Sequence, residues 1–116
     1  GELYACGTYK YPQLKPYIHT NSSKIKVLPG HDDPKSGSDN WTTQSDHSAF
    51  NDKNIPFIYF GVEDHKDYHK ATDEFRNINT EFFTAAAEAI QEITVRLDKQ
   101  LYVKSVMNEK KIMDRK

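Results

Sequence analysis

Three groups of side chains in this chain are of the types that hold metals or move protons. They are His31-Asp32-Asp33, Ser45-Asp46-His47, and a dense run containing Glu63, Asp64, His65, Asp67, Tyr68, His69 and Asp73. A neutral imidazole is a common zinc ligand, and it needs its second nitrogen fixed by a carboxylate or a carbonyl to set the tautomer. His69, with Asp73 four residues further on, has the material for this. A phenol O–H aimed at developing negative charge steadies an oxyanion, and Tyr68 stands directly before His69. Spacing alone fixes no geometry, however. The chain has neither an HExxH motif nor paired cysteines, so each histidine taken singly reads better as part of a solvated charged loop than as a ligand.

The elements that must position these groups follow from patterning. LYACGTY is short, apolar and rich in strand formers, and Pro12 follows it, so a strand ending near Tyr9 is expected. Over PQLKPYIHT, Pro16 confines any helix to about a turn or two. KIKVLPG reads as a second strand with a Pro-Gly stop. HDDPKSGSDN consists of turn formers and reads as a solvated loop. TQSDHSAFNDKN suits a short capped helix with Phe50 as its inward anchor. From Ile55 to Val62 the chain is apolar nearly throughout, the pattern of a strand covered on both faces in a parallel sheet. Beginning near Thr80, with Asn79 or Thr80 as cap, Phe82, Ala86, Ile90, Ile93, Leu97 and Leu101 recur at helical spacing. This alternation predicts an α/β layered fold with a mostly parallel sheet, in which ligands sit where loops leave the carboxyl ends of strands.

Length and charge bound the rest. The 116 residues suffice for one domain, and 16 basic against 17 acidic side chains leave a net charge of -1. That balance gives no field for capturing nucleic acid or coating an anionic membrane. No apolar stretch approaches the roughly 20 residues that span a bilayer, and the expectation is a soluble chain. Cys6 is the single cysteine and reads as a small buried strand residue. The chain has no initiator methionine and opens on a strand, so it is expected to be a piece of a longer protein.

Two of the motifs together carry a resemblance. Ser45, Asp46, His47 and Phe50 form an SDHxxF-like helix start. The strand with Ile55, Pro56 and Phe60 follows, and then a YHxxxD-like loop with Tyr68, His69 and Asp73. In this order and separation they resemble the C-terminal third of the dizinc aminopeptidase family, which includes bacterial leucyl aminopeptidases, glutamate carboxypeptidase and glutaminyl cyclase. The resemblance covers residues 1–101, most firmly 41–79. It implies a partial three-layer α/β/α sandwich lacking the N-terminal strands of the complete peptidase fold, with residues 102–116 as a charged helical extension or tail.

By position, the resemblance makes His69 the last zinc ligand of a binuclear site and Tyr68 the oxyanion stabiliser. Asp73 becomes a partner of the ligand or a cap for the turn, and Asp46 and His47 become a cleft-lining pair. Helix capping by Asp46 and a satisfied His47 account for the latter two as well. His65 competes for the ligand role, but the Tyr-His pair favours His69. His19 is expected at the surface. The family's remaining ligands and its general-base glutamate have no counterpart here, and Glu63, Asp64 and Asp67 match none of them. The chain alone is therefore expected to be inactive and a poor zinc binder, the parent being a zinc metallopeptidase acting on peptide substrates. An incomplete sheet, with LYACGTY as its exposed edge, is expected to drive dimerisation or domain swapping. The resemblance also points to a periplasmic or secreted parent. The alternative is a non-catalytic protein-interaction domain on the same fold.

Overall fold

The computed structural model describes residues 1–115. Strand β1, Glu2–Cys6, lies in the middle of a three-stranded sheet. Strand β2, Lys26–Pro29, runs parallel to it with Leu3 opposite Val27. Strand β3, Tyr59–Gly61, runs antiparallel on the other side with Ala5 opposite Phe60. The fold is thus α/β, but the sheet is mixed rather than mostly parallel, and LYACGTY is its central strand, not an edge. Connection length explains the polarity. Helix α1, His47–Asp52, is only six residues long, about 9 Å, and cannot carry the chain back across the sheet. The chain therefore enters β3 beside Cys6, where β1 ends.

Two further expectations change for local reasons. β1 stops at Cys6 because Gly7 turns away at φ 117°. A Cβ at Gly7 would collide with the Phe57 carbonyl oxygen. The apolar run from Ile55 to Val62 yields only the three paired residues of β3, all half-buried, with Ile55 and Val62 largely exposed. Pro56 removes a ladder donor and Asn54 before it is left-handed, so the run bends where a doubly covered strand would have paired. Phe50, expected as an inward anchor, is 52% exposed. Pro12–Tyr17 forms a single 3₁₀ helix, as its two prolines require.

The sheet buries both faces. Leu3 packs with Ile25, Ala85 and Ala89 beneath helix α2, Thr80–Asp114. On the other face Cys6, Tyr11, Trp41 and Phe57 form a second cluster, with Tyr4 and Tyr59 against it. Asn79 caps α2 by accepting from the Phe82 amide at 3.1 Å. The helix is clamped to the first half of the chain by Arg96, which donates to the carbonyls of Tyr17 and His19 at 2.7 and 2.8 Å. Glu92 beside it accepts from Thr20 Oγ1 at 2.7 Å. Beyond this clamp α2 continues through the charged tail to Asp114, and Leu101, predicted on the inward face, is 65% exposed. The helix has left the body by then, so there is nothing for Leu101 to pack against.

Candidate functional site

The loop that follows β3 carries Tyr68 and His69. Gly61 lies opposite Tyr4, so this loop leaves the sheet beside the amino-terminal half of β1, not beside the carboxyl ends of β1 and β2. It is built from turns: the amides of Tyr68, Lys70 and Asp73 donate to the carbonyls of His65, Asp67 and Lys70. His69 sits in the left-handed region at φ 57°. A residue with a Cβ pays of order 1–3 kcal/mol for such a conformation, a strain that recurs at functional sites. The turn places the rings of Tyr68 and His69 face to face, centroids 3.8 Å apart and planes 23° apart. Both side chains reach solvent.

Asp73 stands near His65 rather than His69: its Oδ1 is 4.0 Å from His65 Nε2. The Asp67 amide donates to His65 Nδ1 at 3.2 Å, so Nδ1 is the bare nitrogen and Nε2 carries the proton toward the carboxylate. The ring edge of His65 also meets Tyr68, at 6.1 Å between centroids. Tyr68, His69, His65 and Asp73 therefore occupy one exposed loop.

Of the SDH group, Asp46 precedes α1 and its side chain makes no capping hydrogen bond. His47 is buried. Its Nε2–H donates to the Trp41 carbonyl at 2.6 Å, its ring stacks on Tyr59 at 4.2 Å, and Nδ1 is buried with no partner among the described residues. His19 is at the surface as expected, its Nδ1 on the Pro16 carbonyl.

The HDD group overturns the expectation of a solvated turn. His31 and Asp32 are each 4% exposed. The His31 ring lies flat on Trp41, centroids 3.5 Å apart and planes 2° apart, with its edge against Tyr4. Its Nδ1 hydrogen-bonds the Asp39 carbonyl oxygen at 2.7 Å and its Nε2 lies 2.8 Å from Glu63 Oε1. Asp32 Oδ2 accepts from the amides of Tyr9 and Lys10 at 2.9 and 3.0 Å, closing the turn after β1. Only Asp33 is a simple turn residue, its Oδ1 on the Lys35 amide. The sequence signal for this cluster was Trp41, a large side chain inside a polar loop that had to find a partner.

The Cys6 thiol is fully buried and donates to the His31 carbonyl at 3.6 Å. Burial, then the neighbouring Asp32 carboxylate, push it up to about 12.

The profile of Peptidase family M28 matches residues 3–94. The chain belongs to this family. The M28 match takes in β1 from Leu3, β2, β3, α1, the Tyr68-His69 loop and α2 as far as Thr94, and membership makes the parent protein a hydrolase of the metallopeptidase kind. No curated protein and no solved structure matches the chain. The metal of an M28 peptidase needs several converging donors. Among the described residues no three His, Cys, Asp or Glu side chains come together in that way. The described residues by themselves therefore do not make a complete metal site.

Proposed function

We propose that this chain is the part of a zinc-dependent M28 aminopeptidase that brings Tyr68 and His69 to the active site. The observation that carries the reading is their adjacency on a strained, solvent-facing turn within the M28 match. In this reading the Tyr68 hydroxyl donates to the oxygen that turns negative as a peptide carbonyl is attacked. His69 offers one imidazole nitrogen to zinc, and Asp73 with His65 shapes the turn beneath them. Asp46 and His47 support the wall of the cleft. The remaining ligands and the general base come from outside residues 1–116, and the chain alone is inactive. In the complete fold the sheet is extended into a three-layer sandwich. Without that extension, the outer edges of β2 and β3 recruit a second copy.

The test is hydrolysis of aminoacyl-4-nitroanilides by the full-length parent enzyme. Tyr68→Phe should lower kcat by roughly 10²–10³-fold with KM little changed. Wild-type turnover left intact by Tyr68→Phe would remove Tyr68 from the chemistry. A non-catalytic interaction domain is the second reading, favoured by an apolar groove of about 780 Å³ between β3 and the start of α2. It predicts no hydrolysis by the parent at all.

A further inference from the structure

The loop from Val62 to Ile78 is tied down by very little. Apart from the half-buried Asp67, its residues from Glu63 onward are exposed. Its side-chain hydrogen bonds stay local, Asp67 to His65 and Asn77 to Thr72, as do its ion pairs, His65 with Asp73 and Arg76 with Glu74. Among the described residues one side-chain hydrogen bond leaves the loop: Glu63 Oε1 with His31 Nε2 at 2.8 Å.

The two ends of that contact differ in character. The His31 side chain is 3% exposed and that of Glu63 is 64% exposed. His31 is immobilised by its stack on Trp41, its bond to the Asp39 carbonyl and the edge of Tyr4, so it presents a fixed ring nitrogen, Nε2, at the surface of the second core cluster. Glu63 is five residues before Tyr68, a separation of at most about 18 Å even when fully extended. Holding Glu63 therefore limits the volume that Tyr68 and His69 can visit.

We infer that the His31–Glu63 bridge is a positioning device for the Tyr68-His69 loop, with His31 as the fixed post and Glu63 as the tether. The inference rests on the reading of that pair as the chain's contribution to the peptidase site. Neither residue touches substrate or reacting atoms in this role. They act through Tyr68 and His69, in the way that supporting residues hold a catalytic pair within the narrow tolerance its geometry needs.

Glu63 is the side to change, because removing the buried His31 ring would open a gap beneath Trp41 and mix collapse with loss of the bridge. Amide hydrogen exchange on the 116-residue chain reads the loop directly. In Glu63→Ala, the amides of Tyr68, Lys70 and Asp73 should exchange roughly three- to tenfold faster, while those of β1 and of Ala89 and Ile93 in α2 keep their rates. Glu63→Gln keeps a side chain that can accept from or donate to His31 Nε2 and should restore most of the protection. The His69 ring-proton resonances, displaced by the stacked Tyr68 ring, should move in Glu63→Ala and return in Glu63→Gln. Unchanged loop exchange in Glu63→Ala overturns the inference. Equal acceleration in β1 and the loop also overturns it, since the bridge would then serve global stability. The measurement needs neither metal nor substrate, so its failure is separable from failure of the peptidase reading.

Discussion

The rings of Tyr68 and His69 stack 3.8 Å apart on a left-handed turn, and among the described residues no three His, Cys, Asp or Glu side chains gather there as a metal site would need. One imidazole cannot fill a tetrahedral zinc site. Calorimetric titration of the chain with zinc should therefore show weak or absent binding, unchanged in His69→Ala. Tight stoichiometric binding abolished by His69→Ala would mean that donors within this chain complete a site.

Cys6 should be inert. With its thiol held near 12 against an ordinary value of 9.0, almost no thiolate exists at neutral pH. Alkylation by iodoacetamide at pH 8 should proceed only through unfolding and match the global opening rate. Because the folded state keeps this proton longer than the unfolded one, stability should fall as pH rises above about 9 and go on falling toward 12. Cys6→Ala should flatten that alkaline slope, read from urea midpoints at several pH values.

Glu92 works at the opposite end of the pH scale. The Thr20 hydroxyl, the Asn21 amide and the Arg96 guanidinium all favour its carboxylate, lowering its pKa below the ordinary 4.5 despite partial desolvation. A depressed carboxylate contributes stability above its unfolded pKa and loses it as pH falls through the folded value. Glu92→Gln should thus be less stable than wild type at pH 7, with the difference closing below pH 4.5, as followed by urea unfolding monitored at Trp41.

Two leucine-type positions on α2 should behave differently despite the same helical register. Ile93 is fully buried, and Ile93→Ala should cost about 2–5 kcal/mol. Leu101, at 65% exposure, should cost less than about 0.5 kcal/mol when replaced by alanine. Denaturant midpoints of the two variants decide this, and a large loss at Leu101 would place a partner on the distal helix.

The outer edge of β3 borders the apolar groove that includes Phe60, Val62, Ile78 and Phe83. Unpaired strand edges beside apolar surface invite association. The chain should dimerise or form larger species at micromolar concentration, and a monodisperse monomer in sedimentation equilibrium would count against it.

The α2 start was legible because capping and amphipathic spacing are local, and Asn79 fulfils its part. Tyr68 and His69 stood out because adjacency is itself a sequence property. The sheet's mixed polarity was not legible: it depends on whether the chain recrosses the sheet between β2 and β3, and an apolar run such as Ile55 to Val62 looks alike in either direction. His31 and Asp32 were misread because turn composition describes the backbone, and the backbone there is indeed a turn. What covers His31 is Trp41, ten residues on, and what holds Asp32 is the pair of amides of Tyr9 and Lys10, more than twenty residues back, contacts that composition does not encode.

Past the Arg96 clamp, α2 runs on for some 18 residues, close to 27 Å of helix at 1.5 Å per residue. The molecule is accordingly 63 Å long but only 29 by 22 Å across. Such a body tumbles anisotropically, slowly end over end and quickly about the helix axis. A correlation time or an elution volume interpreted for a sphere would then report a monomer as something heavier. Mass must be weighed by a method blind to shape before any association is credited to the sheet edge.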